Sequence, residues 1–350
     1  MKLISEHKIK RQELRKPGLL MRAMVLTFAF CLLPLAFAAA QSGRQPGQSK
    51  PSPPPAQETR PRRVDDDQDE IKLSANLITA ITSVTDPAGN QVNDLTQQDF
   101  VVYEDNVPQE IAGFYREGQL PLRLIFLFDA SSSIKHRFDF EQRAAAQFFR
   151  QLMRPGDQAA LMSVATDPKI EMQFTGDVEK LVSALAAIKP EGATSLYSSM
   201  SEAAKYIRPA EGRHVMVVLS DGTDTASAAT LAQALTEVQK SDAVIYAVHS
   251  TGIAPSANVQ DLAGEFVLKA MSEDTGGRAF FPPIYDDPKK EARDLDEIYR
   301  RVAAEVRAQY VITYYSRNTE ARRDGFRAIR VEVKRPGLQV RARRGYYTTK

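Results

Sequence analysis

Three stretches of this chain carry oxygen-bearing side chains at spacings that can do chemistry. The first is Asp129-Ala-Ser-Ser-Ser133, which offers Asp129, Ser131 and Ser133 directly behind an apolar run at 122–128. The second is Thr194, in Gly192-Ala-Thr-Ser195, and the third is Asp221, which follows the apolar run 215–220 and opens an Asp-Gly turn. Two carboxylates and three hydroxyls, with no His or Cys among them, form a ligand set for a hard divalent cation rather than for zinc or copper. Mg2+ is the first expectation, with Mn2+ and Ca2+ as alternatives. A DxSxS segment alone says little, because Asp and Ser are also ordinary turn and cap residues. Its place behind a buried strand gains weight from Thr194 and from an Asp-Gly behind a second buried strand.

Catalytic readings of the same residues fare worse. Ser131, Ser132 and Ser133 follow a strand, but the chain contains no GxSxG elbow. The histidines are His7, His136, His214 and His249; His7 lies in the basic N-terminus, and His136 falls on a first helical turn, where a solvent-facing role is expected. Asp274-Thr-Gly276 has the form of an aspartic-protease triplet, yet that chemistry needs two carboxylates sharing a proton, and the triplet occurs once. Gly276-Gly277 suit a turn out of a helix. The chain is read as a non-enzyme.

The elements that must position these residues alternate in type. Apolar strand candidates at 122–128, 159–165, 214–220, 243–249 and 278–281 are interleaved with helical candidates at about 136–152, 178–188, 196–208, 228–240, 260–273 and 294–308. Short buried strands alternating with amphipathic helices imply an α/β fold: a doubly wound, mostly parallel sheet with helices on both faces, Rossmann-like in plan. The segment 169–174 is expected as an antiparallel edge strand. Such sheets hold ligands beyond the carboxyl ends of their strands, where strand order reverses, and Asp129 and Asp221 both stand at strand ends. Period-two segments flank this section, at 71–117 and again within 321–350, and neither has enough strands to be stable alone. They are expected to pair into a small β-sandwich, which makes the α/β section an insertion between an N-terminal β unit (71–117) and C-terminal strands (317–350).

The N-terminus reads as targeting rather than structure. Seven Lys/Arg within residues 1–40 precede or flank an apolar stretch from Ala23 to Phe37, which ends in Ala38-Ala39-Ala40-Gln41. About fifteen apolar residues ending in small ones fit a secretory signal peptide (1–40) better than a spanning helix. An uncleaved signal anchor is the alternative and would be the only membrane contact. Cys31 lies inside the apolar stretch, so cleavage would leave no cysteine and no disulfide. Removing residues 1–40 leaves 39 bases against 42 acids, a balance that recruits no nucleic acid. Residues 41–70 read as a linker, Pro- and Gln-rich at first and then acidic at 65–70; that run lacks the spaced Gly and terminal Glu of an EF-hand loop. The C-terminal stretch 321–350 holds ten Lys/Arg against Asp324 and Glu332, and is read as one polar face of alternating strands.

The five-residue pattern resembles the metal-ion-dependent adhesion site of von Willebrand factor type A domains. Further stretches resemble a subgroup of bacterial secreted proteins related to that family: Leu95-Thr-Gln-Gln-Asp-Phe-Val-Val-Tyr-Glu-Asp105, Ile329-Arg-Val-Glu-Val-Lys-Arg-Pro-Gly337 and Arg341-Ala-Arg-Arg-Gly-Tyr-Tyr347. The resemblance implies a type A domain at about 118–316. It further implies that Ser131 and Ser133 coordinate the cation directly, that Asp129 acts through water, and that Thr194 and Asp221 exchange direct and water-mediated roles. The open position would accept a carboxylate oxygen from an Asp or Glu of a protein ligand. The expected molecule is an exported protein, periplasmic or extracellular, that binds another protein through its metal. The alternative is a structural envelope module whose cation only stabilises the loops.

Overall fold

The computed structural model describes residues 77–116, 119–132, 137–250, 259–283, 287–318 and 325–348, all within the second of the two units into which the chain divides, Glu70–Lys350. The expected signal peptide and linker, together with Ser133 and His136, lie outside the described residues. Among the described residues no helix is long and apolar enough to cross a membrane.

Six strands form the central sheet: β5 (Leu122–Asp129), β6 (Gln158–Val164), β7 (Lys169–Thr175), β8 (Arg213–Ser220), β9 (Val244–His249) and β10 (Arg278–Phe280). Their order is β10-β9-β8-β5-β6-β7, and every pairing is parallel except β6 with β7. The chain builds outward from β5 through β6 to the β7 edge, then returns to β8 on the other side of β5. Strand order therefore reverses between β5 and β8, the two strands that end at Asp129 and just before Asp221.

The side-chain period of two sends alternate residues of β5 to opposite faces. Leu122, Leu124, Phe126 and Phe128 pack against α1 (Phe138–Leu152), α2 (Val178–Ala187) and α6 (Pro288–Arg307). Ile125 and Leu127 pack against α3 (Leu196–Ile207), α4 (Leu231–Lys240) and α5 (Val259–Thr275). Helix α1 shows how sequence dictates the packing. Its buried residues Phe138, Glu141, Ala145, Ala146, Phe148, Phe149 and Leu152 recur at helical spacing and form one stripe. Burying Phe148 and Phe149 contributes roughly 2–3 kcal/mol each, and both rings meet Phe126, with centroids at 5.8 and 5.3 Å. Helix α6 starts at 288 rather than near 294. Its first turns are charged and carry no apolar period, but Asp287 caps them by accepting from the Lys289 amide at 2.9 Å.

Two four-stranded sheets face each other beside this layer. One has the order β13-β1-β11-β4, from Gln339–Ala342, Leu77–Thr85, Tyr310–Tyr315 and Ile111–Tyr115; the other has β14-β12-β2-β3, from Gly345–Tyr347, Phe326–Val333, Phe100–Glu104 and Val107–Gln109. Ile78, Ala80, Val84, Ile312 and Tyr314 meet Phe100, Val102, Ile329, Val331 and Tyr346 in their shared core. The flanking segments thus make the sandwich expected of them. The stretch 310–314, read from sequence with the α/β section, lies in the sandwich between β1 and β4.

Polar ties hold the sandwich to the amino ends of the parallel strands. Arg213, which opens β8, donates to the Val306 carbonyl at 2.7 Å and to Gln309 Oε1 at 3.1 Å. Arg341 pairs with Glu305 at 2.6 Å, Arg343 with Asp242, and Arg344 with Asp274 at 2.7 Å. Arg327 pairs with Asp105 at 2.9 Å and Arg335 with Asp94 at 3.1 Å. The last two pairs lie within the sandwich; Arg327, Arg341 and Arg343 thus serve inward-facing pairs, whereas Arg330, Arg335 and Arg344 stay exposed on the polar side expected of alternating strands. The carboxyl ends of the strands, where the candidate site lies, are at the opposite edge.

Candidate metal centre

Asp129 is the last residue of β5 and is fully buried. Its Oδ1 accepts from the Ser131 amide at 2.9 Å, a turn that bends the chain away from the strand. Its Oδ2 accepts from Ser220 Oγ at 2.8 Å, and Ser220 is the last residue of β8. One side-chain bond thus joins the two strand ends on either side of the switch. Burial pushes the Asp129 carboxyl up to about 6, the Asp221 charge adds to this, and hydrogen bonds from Ser131 and Ser220 oppose it. Ser131 is buried beside it.

Asp221 sits one residue past β8, half-buried, with Oδ1 accepting from the Thr223 amide at 2.9 Å and the Thr223 hydroxyl at 2.6 Å. The turn depends on Gly222, whose φ of +80° favours glycine. A Cβ there would strike the Gly264 backbone of α5, 2.7 Å from the carbonyl carbon and 2.9 Å from Cα. Two glycines therefore let helix α5 press directly on the backbone that carries Asp221.

Thr194 is buried in the turn before α3. Its carbonyl accepts from the amides of Thr225 at 2.8 Å and Ala226 at 3.0 Å, and its own amide donates to Thr225 Oγ1 at 3.1 Å. None of these bonds uses the Thr194 hydroxyl. The loop after Asp221 also caps α3: Asp224 Oδ2 accepts from the Tyr197 amide at 2.8 Å, and Ser227 Oγ accepts from the Ser198 amide at 2.9 Å. The first and second loops are joined by the Ser132 amide donating to the Gly192 carbonyl at 3.2 Å and the Glu191 amide to the Ala130 carbonyl at 2.7 Å.

These bonds tie the loops bearing Asp129, Ser131, Thr194 and Asp221 to one another at the carboxyl edge of the sheet. Ser133, the fifth residue singled out, lies outside the described residues. Ser220, Asp224, Thr225 and Ser227 hold the site together and went unnoticed in the sequence. Their only trace there is the density of turn-forming residues in Asp221-Gly-Thr-Asp-Thr-Ala-Ser227.

The donor chemistry fits a hard cation. Two carboxylates repel one another in a buried setting, and the remaining candidate donors are hydroxyls. Among the described residues no group of three or more His, Cys, Asp or Glu side chains could hold a metal ion, so a cation here would need other oxygen donors beside the carboxylates. Two of the residues weighed for catalysis, His214 and Asp274, have structural partners. His214 is the second residue of β8, at the strand end opposite the serines, with its ring nitrogens 2.6 Å from the Ser241 carbonyl and 2.7 Å from the Ala210 carbonyl. Asp274 pairs with Arg344 near the end of α5.

Residues 124–283 match the family described as von Willebrand factor type A domain. No curated protein matches the chain. Among solved structures, a von Willebrand factor type A protein from Catenulispora acidiphila is 13% identical over 76% of this chain and 71% of its own, with a TM-score of 0.43. An aerotolerance-related membrane protein from Bacteroides fragilis is 16% identical over 53% of this chain and 98% of its own, with a TM-score of 0.41. The von Willebrand domain of a type V pili tip protein from Porphyromonas gingivalis is 21% identical over 30% of this chain, at a TM-score of 0.29, and only 39% of its length is spanned.

Proposed function

We propose that this chain, whose residues 124–283 match the von Willebrand factor type A domain, binds another protein through a divalent cation held at the carboxyl edge of its sheet. Asp129, Ser131, Ser133, Thr194 and Asp221 would hold the cation, Mg2+ in the first instance. A cation there supplies a positive charge with an open position, and a carboxylate from an Asp or Glu of the partner is the group that gains most from it. The single observation that carries the reading is Asp129. It is a fully buried carboxylate at the switch point, held among the described residues by a hydroxyl and an amide rather than by a basic side chain, and it feels a second carboxylate. Its two hydrogen bonds join the strand ends, but they leave the charge of a buried carboxylate uncompensated, and a cation would offset it.

The chain's own residues prepare the site. Ser220 and the Ser131 amide fix the Asp129 carboxylate, Thr223 fixes one oxygen of Asp221, and the 221–227 loop fixes Thr194 through its backbone. Since backbone bonds already join these loops, a cation is not required to hold them, which favours capture over a purely structural role. The basic and apolar N-terminus supports export to the periplasm or beyond. The reading is tested by selecting a random peptide library on the immobilised protein in Mg2+. Enriched peptides should share an Asp or Glu, and their binding should vanish in EDTA and with Thr194→Ala. Peptides that bind equally in EDTA, or that lack an acid, would contradict it.

A further inference from the structure

Helix α3 takes its cap from another loop. Helices α2, α4 and α6 each follow a residue whose own side chain accepts from their first amides: Asp177, Thr230 and Asp287. Ser195, the residue before α3, makes no such bond. Its hydroxyl donates to the Ala165 carbonyl instead, and the first turn of α3 holds no acid. The open amides of that turn are met from the loop after β8. Asp224 Oδ2 accepts from the Tyr197 amide at 2.8 Å, and Ser227 Oγ from the Ser198 amide at 2.9 Å. Asp224 Oδ1 accepts in turn from the Ser227 amide at 3.0 Å. Asp224 is therefore a third carboxylate near Asp129 and Asp221 in the fold, but both its oxygens are engaged by amides.

Two of the proposed cation ligands stand on the two sides of this contact. Thr194 lies immediately before Ser195, and Asp221 lies three residues before Asp224. Thr225 adds to the grip on Thr194: its amide donates to the Thr194 carbonyl at 2.8 Å, and its hydroxyl accepts from the Thr194 amide at 3.1 Å. Asp221 is fixed within the same loop by the amide and hydroxyl of Thr223. The turn carrying Thr194 and the turn carrying Asp221 thus form one hydrogen-bonded body, closed on its α3 side by Asp224 and Ser227. Asp129 belongs to a different element, β5, and meets the end of β8 through Ser220. An anion at the start of α3 is favourable in itself, and a cap at Ser195 would satisfy the helix as well. A cap supplied by the Asp221 loop does something a local cap cannot: it sets the spacing between Thr194 and Asp221.

We propose that Asp224 is a positioning residue of the cation centre, which with Ser227 locks Thr194 and Asp221 into one unit so that both present oxygen to the same cation. The inference rests on the reading of the preceding subsection. Asp224 is not a ligand in it and acts through the placement of Thr194. Without the cap the Thr194 turn is free to shift against Asp221, and the partners that orient metal ligands commonly change affinity by about tenfold or more when removed.

The test is isothermal titration of Mg2+ into the metal-stripped full chain, as wild type, Asp224→Ala, Asp224→Asn and Asp177→Ala, with urea midpoints measured in EDTA. Asp177→Ala is the matched control. It removes the cap of α2, where Asp177 accepts from the Glu179 and Lys180 amides at 3.1 and 3.3 Å, and α2 packs on the face of the sheet opposite α3. Both alanine variants should lower the urea midpoint to a similar degree, but only Asp224→Ala should weaken Mg2+ binding, by about tenfold. Asp224→Asn, which keeps one acceptor oxygen, should recover part of the affinity. An Asp224→Ala variant that binds Mg2+ as tightly as wild type, or an Asp177→Ala variant that weakens binding equally, would overturn the proposal and leave the cation reading intact. A folded wild type that binds no cation would overturn both. If Asp224→Ala fails to fold, Ser227→Ala decides: it removes only the cap on Ser198 and should also weaken Mg2+ binding, and unchanged affinity there is the overturning result.

Discussion

The contact between helix α5 and the Asp221 turn makes a prediction whose size can be worked out. Gly222→Ala adds one methyl at φ +80°, against the Gly264 backbone, with Gly264 C at 2.7 Å and Cα at 2.9 Å where ordinary contact begins near 3.4 Å. The left-handed backbone alone costs an L-residue about 1–2 kcal/mol. Overpacking against backbone that cannot rotate away adds about 1–3 kcal/mol, so the variant should lose about 3–4 kcal/mol. Gly89 supplies the control: its φ is +85°, and a Cβ there would meet nothing within 4 Å, so Gly89→Ala isolates the conformational part. The assay is equilibrium urea unfolding of both variants and wild type in EDTA, with a gap of about 2 kcal/mol expected between them. Gly222→Ala should also weaken Mg2+ binding by shifting Asp221, whereas Gly89→Ala should not. If the two variants are equally stable, α5 does not press on the turn and Asp221 is placed by some other contact.

Two more outcomes are expected from named groups. Asp129 has a folded pKa of about 6 against an ordinary 3.8, so its contribution is present below the unfolded value and lost as pH rises through about 6. Metal-free wild type should therefore fall by about 3 kcal/mol relative to Asp129→Asn between about pH 4 and 7, read from urea midpoints in EDTA; parallel pH profiles would show that the carboxyl is not strained. In the sandwich, buried Glu104 accepts from the hydroxyls of Tyr314 and Tyr346 at 3.0 Å each and of Ser316 at 2.6 Å. Glu104→Ala should cost about 3 kcal/mol by orphaning these donors while leaving Mg2+ affinity unchanged, since the sandwich is tied to the far edge of the sheet; a loss under about 1 kcal/mol would contradict the first part.

How far the sequence reaches differs by element. The β5 and β8 runs announce themselves because a strand covered on both faces must be apolar nearly throughout, and the residues beyond their carboxyl ends were legible for the same reason. The start of α6 was hidden because Lys289, Lys290, Glu291, Arg293 and Asp294 show no apolar period, and a local cap at Asp287 decides the boundary. The stretch 310–314 is apolar enough for either layer, and only its pairing with β1 and β4 assigns it. Asp224 and Ser227 were illegible because a turn former that caps a helix from another loop looks like one serving its own turn. Glu141 reads as an acid favoured in a first helical turn. The buried stripe through Phe138, Ala145, Phe148 and Leu152 nonetheless passes over it, and that spacing was the available clue.

The most direct test of cation binding at the carboxyl edge is isothermal titration of Mg2+ into the metal-stripped protein beside Asp129→Ala, with circular dichroism confirming that both are folded. Saturable binding at one site in wild type, absent from the variant, is the expected result. A folded wild type that takes up no cation, or an Asp129→Ala variant that binds as well as wild type, would contradict it.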